Sequence, residues 1–165
     1  MVAKASLKPG TLLLLPEMFA TGFTMNAKGM AERVDGPTAQ FLAEQAQRHQ
    51  IFVQAGLVLA DDQGGKPRNE TLVFNPHGRQ IARYAKMHLF SYARAPEYYS
   101  PGAALATFRF HGAVAAPKQL SLGVWPRPDP RLAHADGAGE ARLRGAGGGP
   151  RVRSVAAGAC SACPA

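Results

Sequence analysis

Residues 12–19 read Leu-Leu-Leu-Leu-Pro-Glu-Met-Phe, an apolar run that ends at a proline and a carboxylate. A short apolar run stopped by proline is typical of a buried strand. Residues 51–59 are apolar and partly β-branched, which predicts a second strand. A third run ends in residues 84–90, Tyr-Ala-Lys-Met-His-Leu-Phe, and places a lysine at its end. The sequence therefore puts an acid and an amine at the ends of two buried runs.

The segment between the first two strands predicts a helix over residues 38–50. Phe41, Leu42 and Ala46 share one face of that helix, and we interpret Phe41 and Leu42 as core residues. Thr38 can cap the N-terminus, and a proline stands just before it.

Further strands follow along the chain. Residues 70–75 and 79–86 predict a hairpin that turns at Pro-His-Gly, and residues 61–65 predict another turn. Residues 108–110 begin a later strand, in which the two phenylalanines point to one face and the arginine to the other. Strand, helix, strand and strand in this order predict an α/β layered domain.

Composition limits the function classes. At 165 residues the chain is one domain by length, and it has no apolar run of about eighteen residues that could cross a membrane. The net charge is +8, but it is spread thinly without a Lys/Arg run, so we predict no nucleic-acid partner. Without a signal-peptide core the protein is predicted to be cytoplasmic. The only cysteines, Cys160 and Cys163, make neither a disulfide framework nor a metal site.

The composition changes after about residue 112. We predict a folded domain over residues 1–112 and an Ala/Gly/Pro/Arg-rich tail over residues 113–165 that is irregular or disordered, because such a segment buries too little apolar surface to offset its ordering entropy. The same mixture would arise if a GC-rich gene were read out of frame. A natural low-complexity tail remains the alternative.

Residues 12–19 and 84–90 together resemble the nitrilase, or carbon–nitrogen hydrolase, superfamily. Leu-Pro-Glu-Met-Phe is followed by Gly-Phe-Thr-Met at residues 22–25, which looks most like the ω-amidase-type branch. The hairpin at residues 69–78 and the turn Tyr-Ser-Pro-Gly at residues 99–102 also resemble family features. The resemblance covers residues 11–112, and it implies part of an α-β-β-α sandwich.

The resemblance also implies a reaction, which is hydrolysis of a small non-peptide amide, such as an ω-amide of an α-keto acid. The family uses a cysteine nucleophile, a glutamate base and a lysine, with neither cofactor nor metal. Matched onto this chain, Glu17 is the general base and Lys86 the oxyanion stabiliser. Phe23 and Met25, which follow Glu17 on its loop, are our candidates for substrate contact, although an ordinary core role is equally compatible with the sequence.

The chain departs from the family pattern in three respects. Ala95 stands where the family has its second glutamate, and Glu97 is the candidate replacement. Only about ten residues precede Leu12, so a strand is expected to be missing and the sheet edge beside residues 12–15 to be open. The strand expected to start near Phe108 and end near residue 120 has no cysteine, and a proline interrupts it. Ser121 has the hydroxyl nearest to the expected cysteine position, but the residues around it do not resemble the sharp turn, or elbow, that carries the family's nucleophile.

We therefore predict a family member that has the base and the lysine but lacks the nucleophile, and that is inactive as written. The alternative is a non-catalytic pseudoenzyme or assembly subunit. Family members often form oligomers, so the chain could form a homo-oligomer or pair with a complete homologue. A weaker alternative is a tail that binds nucleic acid in a salt-dependent manner.

Overall fold

The structure, a computed structural model, describes residues 7–117, 140–142 and 151–154. A 3-10 turn at Ser91–Ala93 precedes the last helix. The helices are α1 (Ala27–Met30), α2 (Pro37–His49) and α3 (Ala95–Tyr98), and the strands are β1 (Leu12–Leu14), β2 (Phe52–Leu59), β3 (Arg68–Phe74), β4 (Gln80–Ala85), β5 (Phe108–Phe110), β6 (Ala113–Ala115), β7 (Glu140–Arg142) and β8 (Arg151–Ser154).

Six strands form one mixed sheet in the order β4-β3-β2-β1-β8-β7. The strand β1 is parallel to β2, with Leu12 opposite Phe52, and β2, β3 and β4 follow in antiparallel pairs. The expected β2 strand and the β3–β4 hairpin are thus confirmed. The α/β class is confirmed as well.

The prediction of an open sheet edge beside residues 12–15 is wrong. The backbone of β8 pairs in parallel with β1, so that Leu12 lies opposite Val152, and β7 pairs with β8 in turn. Two short parts of the predicted irregular tail are therefore strands of the main sheet. The rest of the tail beyond residue 117 lies outside the described residues.

The helix α2 matches the predicted helix within one residue at each end, but two of its details differ. Leu42 and Ala46 are buried as expected, whereas Phe41 is 47% exposed, so its interpretation as a core residue is wrong. Thr38 does not cap the helix, since Gly36 is the N-cap residue. Instead, the carboxylate of Glu32 accepts hydrogen bonds from both the backbone N–H and the hydroxyl of Thr38.

The two faces of the sheet are covered differently, because successive strand residues point to opposite sides. One face packs against α2 in a core cluster that includes Leu13, Leu42 and Leu72. The other face packs Leu12 and Val73 against the phenylalanines of β5. No helix in the described part of the chain is long and apolar enough to cross a membrane.

The chain reverses direction after β5. Phe108 and Phe110 are buried and Arg109 is exposed, as the alternation predicted. The strand ends at a turn through His111 and Gly112, and β6 returns antiparallel to it as a separate two-stranded sheet. The long strand expected from Phe108 to residue 120 is therefore a short hairpin that crosses the compositional boundary at residue 112.

Candidate active site

Glu17 and Lys86 form a buried ion pair. The ammonium Nζ of Lys86 lies 2.7 Å from Oε1 of Glu17. Their side chains are only 15% and 6% exposed, respectively. Glu17 follows the end of β1, and Lys86 follows the end of β4, so tertiary folding joins two loops at one end of the sheet. The structure thus brings together the two residues that the sequence predicted as base and oxyanion partner.

Asn69 is the third member of this group, and the sequence reasoning missed it. Its side-chain amide donates a hydrogen bond to Oε1 of Glu17. Asn69 is buried in β3, opposite Val58 of β2. The first four residues of β3 are polar, so the sequence alone does not single out Asn69. Its burial in the structure does, since buried polar groups need hydrogen-bond partners.

Gly56 lets the loop that carries Glu17 lie against the sheet. A Cβ atom at Gly56 would stand 2.8 Å from Cα of Glu17 and 2.9 Å from the backbone nitrogen of Met18. Two backbone hydrogen bonds hold the contact, from Gly56 N–H to the carbonyl of Pro16 and from Phe19 N–H to the carbonyl of Gly56. A glycine inside a strand pattern often marks such a close approach, and this signal was present in the sequence.

Met18 supports the turn after Glu17. Its φ is 49°, in the left-handed region that non-glycine residues seldom occupy. Its side chain is buried with Ala27, Val58 and Tyr99, which holds the turn in place. The unfavourable backbone conformation is therefore offset by packing, and it sets the direction in which Glu17 leaves the strand.

Lys86 is held by its backbone as well as by its ammonium group. Its N–H donates to the carbonyl of Asn69 at 2.9 Å, and its carbonyl accepts from the N–H of Gly102 at 3.0 Å. A side chain at Gly102 would overlap the backbone of Ala85. The proline-glycine turn identified in the sequence therefore packs directly against the residue before the lysine.

Tyr99 closes the other side of the glutamate loop. It is buried, and its hydroxyl donates a 2.6 Å hydrogen bond to the carbonyl of Thr24. Burial, with a smaller contribution from the negative charge of Glu17, raises the pKa of Tyr99 to about 12. The phenol therefore stays protonated and keeps its hydrogen bond well beyond neutral pH.

The two candidate substrate-contact residues lie in different surroundings. Phe23 is 55% exposed and packs edge-on against Phe90, with ring centroids 6.3 Å apart. Met25 is partly buried and packs against the cluster around Met18 and Tyr99. Phe23 thus remains available for contact with another molecule, whereas Met25 contributes to the packing of the loop.

Glu97, the candidate second glutamate, lies in α3 and forms its ion pair with Arg94. The Arg94 Nε–Glu97 Oε1 distance is 2.7 Å, and the glutamate side chain is 49% exposed. The pair raises the pKa of Arg94, first through the hydrogen bond and then through the charge of Glu97. Ala95, at the position of the family glutamate, is buried at the start of the helix. Glu97 therefore differs from Glu17 in both partner and exposure.

The remaining sequence candidates lie outside the described residues, namely Ser121, Cys160 and Cys163. Within the described ranges, no group of three His, Cys, Asp or Glu residues could hold a metal ion. The chemistry that the described site offers is that of its ion pair. A buried carboxylate can accept a proton, and an ammonium beside it can offset negative charge that develops on a substrate oxygen.

Comparison with known proteins identifies the family. The family model for carbon–nitrogen hydrolases matches residues 1–133. Omega-amidase NIT2 of Danio rerio is 32% identical over 119 residues, which cover 66% of this chain and 42% of that protein. The chain thus spans about two-fifths of the length of this curated relative.

Solved structures agree in fold. XC1258 from Xanthomonas campestris, a CN-hydrolase superfamily protein, superposes with a TM-score of 0.60 at 28% identity, over 64% of this chain and 39% of that one. An N-terminal amidase with a Gln-Val peptide gives a TM-score of 0.55 at 25% identity, over 65% and 26% of the two chains. The nitrilase-type resemblance, with its ω-amidase-type branch, is confirmed, and the chain belongs to the carbon–nitrogen hydrolase family.

Proposed function

We propose that this chain carries the carboxylate and the amine of an amide-hydrolysing site for small ω-amides of α-keto acids, and that it does not turn over such amides by itself. The observation that carries the proposal is the buried contact of 2.7 Å between Glu17 and Lys86. The curated relative of similar sequence is an omega-amidase, which supports the substrate class.

The roles of the two residues follow from their chemistry. A cysteine thiol with an ordinary pKa near 8.5 is mostly protonated at neutral pH, so a neighbouring carboxylate must take its proton before sulfur attacks the amide carbon. Glu17 is the proposed acceptor. The carbonyl oxygen then gains negative charge, which the ammonium of Lys86 offsets, and loss of one such donor costs about 100- to 1,000-fold in rate.

The missing component is a thiol at the predicted position. The sequence contains no cysteine before Cys160, and the strand expected to carry one ends at Phe110 in a hairpin turn. Glu97 stays a proposed second carboxylate, for which the exposed ion pair with Arg94 gives no additional support.

Ammonia release from an ω-amide of an α-keto acid by the purified 165-residue chain tests the proposal. We expect no release above the rate without protein. Binding of the same amide, followed through backbone NMR signals of Glu17 and Lys86, is expected to remain and to weaken in Glu17→Ala. Turnover that is abolished in Glu17→Ala would refute the proposed inactivity, whereas absence of any binding would refute the proposed site.

A second candidate function is that of a non-catalytic subunit that pairs with a complete carbon–nitrogen hydrolase. The open edge at β1 no longer favours it, because β8 occupies that edge. A row of exposed aromatic side chains favours it instead, in which Phe90 contacts both Phe23 and Tyr92. Co-purification with a complete family member, weakened in Tyr92→Ser, is the expected result, and a chain that elutes alone from such a mixture would contradict it. The cytoplasmic location stays a prediction from the sequence.

A further inference from the structure

Both hydrogen bonds to the Glu17 carboxylate fall on the same oxygen. Oε1 accepts from the side-chain amide of Asn69 and from the ammonium of Lys86. Within the described residues, no donor reaches the second oxygen, Oε2. The two oxygens of this buried carboxylate are therefore chemically different, although they are equivalent in a free glutamate.

Asn69 forms a hydrogen bond with each member of the ion pair. Its side chain donates to Glu17, and its backbone carbonyl accepts the N–H of Lys86 at 2.9 Å. It is the second residue of β3, where it lies opposite Val58 of β2. A movement of Asn69 would thus displace the carboxylate and the lysine together.

An orienting donor has a clear physical purpose here. The terminal torsion of a glutamate side chain is broad and roughly two-fold, so rotation exchanges the two oxygens unless something holds one of them. The ammonium of Lys86 sits on a flexible four-carbon stem and is a weak directional constraint. The carboxamide of Asn69 is short and buried, and it adds a directional hydrogen bond without adding a charge.

We propose that Asn69 is a positioning residue that fixes Oε1 and leaves Oε2 as the oxygen that takes the proton. The proposal rests on the proposed function of Glu17 as the base. In the step it implies, the S–H bond of a thiol breaks, its electron pair stays on sulfur, and a new O–H bond forms at Oε2. Lys86 takes no part in this proton transfer, and its proposed partner is the substrate oxygen.

The side-chain amide of Asn69 provides a direct readout that does not depend on turnover. The chain has three asparagines, and in Asn26 and Asn75 the side-chain oxygen accepts backbone N–H groups, so their carboxamides serve as internal references. In the full chain labelled with ¹⁵N-asparagine, we expect one Asn69 amide proton downfield of both references. Its exchange with water should be slower by at least about tenfold, as a hydrogen bond to a charged group implies.

Three variants separate the possible outcomes. In Glu17→Ala the downfield signal and its slow exchange should disappear, because the acceptor is gone. In Lys86→Met both should persist if Asn69 holds the carboxylate directly. In Asn69→Ala, the carboxyl ¹³Cδ chemical shift of Glu17 should move because the hydrogen bond to Oε1 is lost, while backbone signals remote from the site stay in place.

The proposal is overturned if the Asn69 amide resembles that of Asn75 in the unmodified chain, or if it does not respond to Glu17→Ala. Loss of the signal in Lys86→Met would likewise overturn it, since the lysine would then be the orienting group. The Glu17→Ala comparison does not need a folded Asn69 variant. A failed binding experiment would refute the amide-hydrolysing site yet leave the Asn69 signature intact, so the two failures can be distinguished.

Discussion

The ammonium of Lys86 lies 2.7 Å from the carboxylate of Glu17, across 69 positions of the chain. Neither side chain has much contact with solvent, and the same carboxylate oxygen also accepts the amide of Asn69. Buried charges are tolerated only when they are paired and hydrogen-bonded, so each of these groups depends on the others for its place in the fold.

Removing either partner of this pair should destabilise the protein more than removing an exposed ion pair. We expect Glu17→Gln and Lys86→Met each to lower the free energy of unfolding by about 3 kcal/mol, since the opposite charge that offsets the desolvation of the remaining group is lost. The double variant should lose less than the sum of the two single variants. Urea unfolding followed by circular dichroism measures all three.

The control is Arg33→Met, which removes one partner of the exposed Arg33–Asp35 pair. It should leave the unfolding midpoint unchanged within error, because exposed pairs contribute little. Equal losses at the two sites would show that burial is not what makes the Glu17–Lys86 pair important.

Gly56→Ala should displace the loop that carries Glu17. The added methyl group meets the backbone of Glu17 and Met18 rather than a movable side chain, so the loop must shift, at a cost of about 1–3 kcal/mol. We also expect the downfield Asn69 amide signal to weaken. Gly64→Ala is the matched control, since its φ is 77° with open space around it, and it should change stability without changing that signal.

Tyr99 should make the protein sensitive to alkaline pH. Its pKa is about 12 in the folded protein against 10.0 for an ordinary tyrosine, so the folded state keeps a proton that the unfolded chain releases first. The stabilisation is fully present below pH 10 and is lost as pH rises from about 10 to about 12. Stability of the unmodified chain should fall over that window, and the fall should be smaller in Tyr99→Phe.

At neutral pH, Tyr99→Phe should cost about 1 kcal/mol, because the hydrogen bond to the Thr24 carbonyl is lost. Tyr92→Phe changes an exposed tyrosine on the aromatic row and is the control for the alkaline series. If Tyr92→Phe flattened the pH dependence as much as Tyr99→Phe, the assignment to Tyr99 would be wrong.

Thr71 and Thr38 should respond to the same substitution with opposite signs. The buried hydroxyl of Thr71 has no hydrogen-bond partner among the described residues, so Thr71→Val should raise the free energy of unfolding by about 1 kcal/mol. The hydroxyl of Thr38 donates to Glu32, so Thr38→Val should lower it by a similar amount. A destabilising Thr71→Val would indicate a polar partner for that hydroxyl in solution.

Local sequence patterns predicted most of the helix and strand positions, but they did not predict which residues of the helix are exposed or which residue caps it. The run at residues 51–59 and the hairpin at residues 70–86 became β2, β3 and β4, because each pattern has the period of its own element. The position of Phe41 at the solvent and the capping of α2 by Gly36 were not predictable in this way. Both depend on what packs against the helix, and periodicity alone does not specify which of two adjacent apolar residues faces the sheet.

For the candidate site, the family and the pair Glu17 and Lys86 could be identified without the structure, since the residues around each form a specific motif. The folded chain adds three contacts that no motif contains: Asn69 hydrogen-bonds to Glu17, the glutamate loop packs against Gly56, and β8 pairs with the edge of β1. A short sequence motif specifies which side chains are present and predicts where they lie along a strand. Hydrogen bonds between strands, and the close approach of two backbones, depend on contacts between residues far apart in the chain, which exist only once the sheet has formed.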